Sequence, residues 1–373
     1  WCFEPTQDTA DALRKTISKN NFDSTIELIQ AGLSDHSGQA TFYTSPNAEL
    51  NSLTSTPSTT GAQQTIELLT LDDCFDKYQW KHIDFIKLDA EGEELNILKA
   101  ATNTLLRCSP LIMFELKHGS KINTHLINAF REKGYQPYYL IPGLSTLYPL
   151  DMSQNIDDFQ LNLFCCKQET ADELSARGML VAKTSSEKIK SARESFFQQL
   201  PYFKELQLSK TATDETSQFY QVTLDAYAIS RDESVDIEGR LQHLLMAYEG
   251  VKKILASGES KISRLSTLAR ISYDLGQRCV GNQILSYVKE RYIDKGTEFT
   301  LDEAFITPNM AFEKTPTQQN LNKWLLSSVL HEYICKHTFS CYFNEVDVVK
   351  PHFDLLEQYG FLLPSMAKRQ NAI

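Results

Sequence analysis

The sequence predicts an α/β domain with a mainly parallel sheet, followed by an all-α domain. From residue 1 to about residue 168, short apolar runs alternate with amphipathic stretches, a pattern typical of βαβ units. Beyond about residue 186, apolar residues recur every three to four positions, which is the period of one helix face. The polar, charged stretch between them, residues 169–185, is expected to be a linker.

Composition limits the classes of partner and location. The chain has 373 residues, 42% hydrophobic and 23% charged, as in an ordinary globular protein. Its formal charge of -11 argues against nucleic acid and anionic membranes, since both need clustered Lys and Arg. No apolar window approaches the roughly 18 residues of a membrane span, and the start does not resemble a signal peptide, so a cytoplasmic location is expected. The eight cysteines include no C-x-x-C pair and are expected to be reduced, mostly core thiols.

The first elements follow from short local patterns. The opening WCFEP indicates the end of a buried strand, and a helix over DTADALRKTISKN follows, with Asp8 or Thr9 as N-cap. We expect a strand in STIELIQAGLSD and its hairpin partner in QATFYTS, joined by a turn at residues 35–38. Residues 44–64 are rich in Ser, Thr and Pro and predict a long surface loop, a length at which functional lids are common.

The next elements complete the predicted sheet. We expect a strand and a capped short helix in TIELLTLDDCF, then a continuous apolar strand, an acidic turn and a helix in HIDFIKLDAEGEELNILKAA. Another buried strand is PLIMFELK, and a helix that ends at Gly134 leads into the strand YQPYYLI. The last strand, FQLNLFCCK, is expected to pair antiparallel with YQPYYLI.

The C-terminal half, residues 186–373, predicts a helical bundle without a chemical signal. One apolar face runs along residues 241–255, and two helices hinged near residues 276–282 cover 262–292. The latter pair weakly resembles a tetratricopeptide unit, but no second copy stands at a fixed period. In KWLLSSVLHEYICKHTFSCYF the His and Cys residues form no clean i, i+4 ligand pair, so core packing is expected and no metal site.

Acidic residues follow two of the predicted strands. Ligands of doubly wound folds bind at the carboxyl ends of strands, where an acid such as Glu4 can accept hydrogen bonds from ribose hydroxyls. Asp89 and Glu91 follow an apolar strand, and Gly92 permits a tight turn. Buried carboxylates are costly unless they hold a ligand, a cation or a helix N-terminus. Capping competes as a role for Glu91 and the two acids after Gly92, so Asp89, still on the strand, is the better functional candidate.

These motifs together resemble one family. The segments FEP, GLSDHSG, FY, NSL, TLDD, DFIKLDAEGEELNILKAA, PLIMFELKHG and GY occur in the order found in FkbM-type S-adenosylmethionine-dependent methyltransferases, over roughly residues 1–168. The most specific piece is IKLDAEGEE. The resemblance implies a class I methyltransferase (Rossmann-like) sheet, S-adenosylmethionine as cofactor, and methyl transfer to hydroxyl groups of sugars, glycans or natural products.

The resemblance also assigns roles to residues at the strand ends. Cofactor-binding positions are Glu4 for the ribose, the segment Leu33, Ser34 and Asp35 beside the adenine, and Asp89 near the methionine end.

Around the reacting centre the resemblance places a second group of residues. Glu91, Lys117 and His118 would face the substrate, a small-molecule or glycan acceptor. A carboxylate or a His can take the proton of the acceptor hydroxyl, so Asp89, Glu91 and His118 are the catalytic candidates. The residue types do not choose among these three.

One part of the family pattern is missing. Family members carry a first strand and a glycine loop before FEP, whereas here nothing precedes Trp1 and no two glycines stand at G-x-G spacing. The only phosphate-loop outline, GQRCVGNQ, lacks the required Lys and Ser or Thr. Loss of that central strand would expose two apolar strand edges, which native proteins avoid. The chain is therefore expected to be an N-terminally truncated fragment that binds the cofactor poorly or not at all.

Two other functions stay open on the sequence. The first is a degenerate methyltransferase fold that serves as a scaffold, with the helical half binding a protein partner or a second copy. The second is a nicotinamide-dependent dehydrogenase that uses the same strand-end acid. It would need a glycine fingerprint, and IKLDAEGEE has no place in it.

Overall fold

A computed structural model describes residues 1–44, 53, 63–118, 121–153, 156–181, 193–206, 214–258, 260–338 and 346–370. The chain forms two compact units. Unit 1 contains Trp1–Tyr139 and Leu161–Arg177, and unit 2 contains Leu140–Gln160 and Gly178–Ile373. The change of unit after Arg177 falls within the predicted linker, but residues 168–176 are helical and belong to unit 1.

Unit 1 begins with a small βαβ arrangement. Strand β1 (Cys2–Phe3) pairs in parallel with β2 (Leu28–Ile29), and helix α1 (Gln7–Lys19) connects them. The helix begins before the predicted caps, because Thr6 is the N-cap residue. The predicted strand and helix at the start of the chain are thereby confirmed.

A three-stranded sheet corrects the predicted hairpin. Strand β5 (Gln63–Leu69) lies between β3 (Gly32–Leu33), which is parallel to it, and β4 (Gly38–Tyr43), which is antiparallel. The prediction that β4 pairs with the preceding strand is wrong. The reason is burial, because Phe42 of β4 packs with Ile66 and Leu68 of β5 in one apolar cluster.

Most of the predicted surface loop lies outside the described residues. Residues 45–52 and 54–62 lie outside the described residues. At its end, Gln63 and Gln64 already belong to β5, so the predicted loop is shorter there.

Residues 71–176 are built around a larger sheet. Its elements are α2 (Leu71–Lys77), β6 (Phe85–Leu88), α3 (Glu94–Lys99), α4 (Thr102–Cys108), β7 (Leu111–Glu115), β8 (Lys117–His118), β9 (Lys121–Ile122), α5 (Thr124–Glu132), β10 (Gln136–Ile141), β11 (Thr146–Pro149), β12 (Asn162–Cys166) and α6 (Gln168–Ala176). Strands follow the order β10-β12-β7-β6, in which β6 and β7 are parallel and β12 runs antiparallel to β7 and β10. The predicted antiparallel pairing of the last strand is confirmed. Strand β11 and the end of β10 are in unit 2.

Strand β6 is less buried than its apolar sequence predicts. Within the described residues it pairs with β7 alone, so one of its edges has no described partner strand. The Phe85 side chain is 49% exposed. The burial expected for a continuous apolar strand is therefore not found at Phe85, and a strand between β1 and β6 stays a prediction.

Unit 2 confirms the predicted change to helices. Its helices are α7 (Arg193–Gln198), α8 (Glu215–Ser230), α9 (Ile237–Ala256), α10 (Ile262–Asp274), α11 (Arg278–Val288), α12 (Leu321–Lys336), α13 (Val346–Tyr359) and α14 (Pro364–Gln370). Every residue of α10 is buried, including its polar ones. No helix in the described part of the chain is long and apolar enough to cross a membrane.

The side chains of helix α12, including a histidine, pack in the core of unit 2. In α12, Trp324, Leu325, Val329 and Leu330 are buried, and His331 donates a hydrogen bond from Nε2 to the Phe361 carbonyl at 2.9 Å. The expected core packing of this segment is therefore confirmed for its described part. The described cysteines form no disulfide, and the four buried ones, Cys74, Cys108, Cys165 and Cys166, lie in unit 1, while Cys341 lies outside the described residues.

Candidate active site

Three carboxylates meet at the carboxyl ends of two neighbouring parallel strands. The register pairs Leu88 of β6 with Phe114 of β7, so Asp89 and Glu115 come next on adjacent strands. One carboxylate oxygen from each of Asp89, Glu91 and Glu115 lies within 4.8 Å of the others. We call these three residues the acid trio. It lies at the carboxyl ends of the strands, where open α/β folds bind ligands.

A left-handed turn brings Glu91 into the acid trio. Glu91 has a φ of 48° and Gly92 a φ of 103°, which is easy for glycine but unfavourable for a residue with a β-carbon. Glu94, which is 5% exposed, supports this turn. Its Oε1 accepts hydrogen bonds from the backbone N–H groups of Ala90 at 2.9 Å and Gly92 at 3.3 Å.

The acid trio holds more negative charge than its surroundings neutralise. Burial, reinforced by the nearby charges of Asp89 and Glu91 and a hydrogen bond with Asp89, raises the pKa of Glu115 to about 7. Lys87 donates from Nζ to Asp89 Oδ2 at 2.5 Å, an ion pair that is largely exposed and therefore weak. Glu115 is consequently protonated in part near neutral pH.

Glu4 lies at the end of β1, as predicted. Its backbone N–H donates to the Ile29 carbonyl at 3.1 Å, which extends the pairing of β1 with β2. Its Oε1 accepts hydrogen bonds from the N–H of Thr6 at 2.8 Å and from the Thr6 hydroxyl at 2.5 Å. A carboxylate can accept about four hydrogen bonds, so Glu4 keeps capacity for a ligand.

The predicted adenine-side segment runs close to Glu4 and connects to the acid turn. A β-carbon built on Gly32, the residue before Leu33, would lie 3.8 Å from Cβ of Pro5. Ser34 is buried, and its hydroxyl donates to Glu93 Oε2 at 2.7 Å. The segment is thus bonded through Ser34 to the residue that precedes α3, and the residue before the segment lies beside Pro5.

Asp35 is exposed, unlike its neighbour Ser34. A hydrogen bond of 2.8 Å with the His36 ring lowers the pKa of its carboxyl group. Asp35 is therefore an ionised acceptor at neutral pH.

Lys117 and His118 follow β7 as predicted. Their backbone forms β8, which pairs antiparallel with β9. Their side chains lie outside the described part of the structure, so their proposed contacts with the substrate stay predictions.

Three acids of the site were not assigned a functional role from the sequence. Glu115 ends the strand of PLIMFELK, and the rule that selected Asp89, an acid at a buried strand end, applies to it equally. Glu93 and Glu94 were considered only as helix-capping acids. Their hydrogen bonds to Ser34 and to the turn depend on tertiary contacts, for which the sequence has no signal.

The acid trio also has the oxygen donors that hard cations prefer. Within the described residues it is the group whose ligand atoms are close enough to hold an ion. Exposed acids are common without one, and no metal was predicted from the sequence, so we assign no metal to this site.

Comparison with known proteins agrees with the sequence motifs. Residues 1–137 match the family model described as the methyltransferase FkbM domain. The hexuronic acid methyltransferase AglP of Haloferax volcanii is 34% identical over 105 residues, which are 28% of this chain and 42% of that protein. The chain thus spans less than half the length of this curated relative, and no solved structure matches significantly. The resemblance to the FkbM-type methyltransferases is therefore confirmed for residues 1–137.

Proposed function

We propose that this protein is an S-adenosylmethionine-dependent methyltransferase that acts on a hydroxyl group of a sugar, glycan or natural product. The observation that carries the proposal is the acid trio at the ends of β6 and β7, inside the segment that matches the FkbM domain. The parallel pair β6 and β7 supports the class I sheet predicted for such enzymes.

The residues at the other strand ends suit the nucleoside part of the cofactor. A ribose offers two hydroxyl donors, and the Glu4 carboxylate retains acceptor capacity beyond its bonds to Thr6. The proposal assigns Leu33 and Asp35, one apolar and one ionised side chain, to the adenine side of the cofactor. When bound, S-adenosylmethionine supplies an activated methyl group.

The acid trio suits removal of the acceptor proton. A general base works best when its pKa is near the working pH, and the pKa of Glu115 is raised to about 7. We assign proton removal to Glu115 and Asp89, whose carboxyl groups are joined by a hydrogen bond. Glu91 would accept a second hydrogen bond from the acceptor and orient it.

The role of unit 2 and the cellular location stay predictions. Exposed apolar side chains on its longest helices, Phe219, Val222 and Met246, leave room for the predicted protein partner or self-association. A cytoplasmic location is likewise an expectation from the sequence.

The cofactor assignment is tested by calorimetric titration of S-adenosylhomocysteine into the full-length protein that the gene encodes. Glu4→Ala is expected to weaken binding about tenfold or more, because a charge-assisted hydrogen bond is lost. Asp11→Ala is the matched control, since Asp11 is an exposed acid on α1 that bonds Gln7 and Arg14. Binding that is absent, or unaffected by Glu4→Ala, would contradict the proposal and favour the scaffold.

A further inference from the structure

The turn at Asp89–Gly92 does not hold its shape by local preference. Glu91 occupies the left-handed region, which persists in a residue with a β-carbon only where the surrounding structure enforces it. The position of Glu91 in the acid trio depends on that conformation. Some contact must therefore hold the turn.

Glu94 makes the contacts that such a role requires. It is the first residue of α3, where an acid ordinarily stabilises the helix through the N–H groups of the same helix. Its Oε1 instead accepts from Ala90 and Gly92, both of which precede the helix. Because the side chain is buried, these bonds are protected from competing water.

Glu93 connects the same turn to a distant part of unit 1. Its Oε2 accepts from the Ser34 hydroxyl at 2.7 Å and from Asn96 Nδ2 at 3.1 Å. Ser34 stands 59 residues earlier, at the end of β3, and its backbone N–H donates to the Leu69 carbonyl. The acid turn is thus fixed to the segment predicted to lie beside the adenine.

We propose that Glu94 and Glu93 are positioning residues that hold Asp89 and Glu91 in their reactive arrangement. Glu94 fixes the shape of the turn, and Glu93 fixes its place relative to Ser34. This inference rests on the proposed function for the roles of Asp89 and Glu91.

The kinetic test compares two variants that differ in one property. Glu94→Gln keeps an oxygen that accepts both N–H groups, whereas Glu94→Leu removes it, and both lose the charge. We expect kcat within about threefold of wild type for Glu94→Gln and about a hundredfold lower for Glu94→Leu, because small misplacements of reacting groups have effects of that size. The KM for S-adenosylmethionine should change less than kcat.

A matched control separates positioning from general destabilisation. Asp72 accepts from the N–H groups of Asn103 at 3.0 Å and Thr104 at 2.8 Å, the same kind of bond pair at the start of α4. Asp72→Ala is expected to lower the thermal midpoint as Glu94→Leu does, with kcat within about twofold of wild type.

A second readout does not depend on activity. Amide hydrogen exchange at Ala90 and Gly92 should accelerate about tenfold in Glu94→Leu and not in Glu94→Gln, while Asp72→Ala should accelerate Asn103 and Thr104 only. Glu94→Asp keeps the charge but shortens the side chain, so it replaces the Leu variant if that variant does not fold, with the same expected change in exchange.

The outcomes distinguish the two proposals. Wild-type exchange at Ala90 and Gly92 in both Glu94→Leu and Glu94→Asp would overturn the positioning role, as would equal losses of kcat in the Gln and Leu variants. Absence of methyl transfer in the wild-type protein would count against the proposed function, while the exchange data would still decide what Glu94 holds.

Discussion

The two units handle charged side chains in opposite ways. In unit 2, the fully buried Arg264 donates from Nε and Nη2 to the Glu303 carboxylate, and Arg270 pairs with Asp274 and Glu313. In unit 1, the acid trio gathers like charges at a partly open sheet edge. Buried charges must be paired for the fold to be stable, whereas gathered like charges destabilise it.

This difference separates structural charge from functional charge. The Arg and acid residues of unit 2 neutralise one another's charge, so stability alone explains them. Burial together with the neighbouring charges of Asp89 and Glu91 raises the pKa of Glu115, and this arrangement is not explained by stability, which is why we place the chemistry there.

The largest effect is expected for Asp89→Asn. Removing this carboxylate from the acid trio should lower the rate of methyl transfer by about a thousandfold while the fold survives. The rate is measured with isotope-labelled S-adenosylmethionine, and folding by thermal unfolding. Asp84→Asn, at an exposed acid before β6, should retain the wild-type rate. Unchanged turnover in Asp89→Asn would refute the placement of Asp89 at the reacting centre.

A large stability effect is expected in unit 2. Arg264→Met should reduce the free energy of unfolding by about 3 kcal/mol or more, because Glu303 is left buried without its partner. Urea unfolding measures the loss. The control, Lys295→Met, removes the exposed partner of Glu290 and should leave stability nearly unchanged. Similar losses in both variants would show that the buried pair is not structurally special.

Because of His331, the free energy of unfolding of unit 2 is expected to decrease at acid pH. Burial lowers the pKa of His331 to about 4, so the unfolded state binds the proton more tightly. Stability from this group is present above about pH 6.5 and is lost as the pH falls toward 4, by about 2 kcal/mol. His331→Gln should flatten this dependence in unfolding measured between pH 4 and 7. The control His337→Gln should flatten it less, and equal flattening would contradict the assignment.

Glu115 gives unit 1 the opposite slope. Its raised pKa means that the folded state binds the proton more tightly, so stability falls as the pH rises from about 4.5 to about 7. Glu115→Gln should remove a loss of about 1 kcal/mol, discounted because the side chain is partly exposed. Unfolding at pH 5 and pH 8 measures the difference. A variant with the wild-type slope would show that the pKa of Glu115 is not raised in the folded protein.

The sequence predicted the elements with strong periodicity and missed what tertiary contacts decide. The helix of residues 237–256 and the antiparallel last strand follow from local patterns. The partner of β4 could not be predicted, because β3 and β5 compete for it and the Phe42 cluster decides. The buried arginines of α10 were also missed, since an arginine in a helical pattern ordinarily indicates a solvent face.

For the candidate site, the sequence located strand ends but not the relations between them. It identified Glu4, Asp89 and Glu91 and overlooked Glu115, although the same rule applies to it. The hydrogen bonds from the turn to Glu94 depend on the left-handed conformation of Glu91. The sequence indicates that conformation only through the glycine that follows.

The central claim is that the acid trio removes the acceptor proton, and the pH dependence of methyl transfer tests it most directly. The measurement is kcat/KM between pH 5 and 9 for the full-length wild-type protein and for Glu115→Gln. We predict that the wild-type value rises with an apparent pKa of about 7, and that Glu115→Gln is at least about a hundredfold slower and loses this rise. A Glu115→Gln profile that coincides with the wild-type profile would contradict the claim.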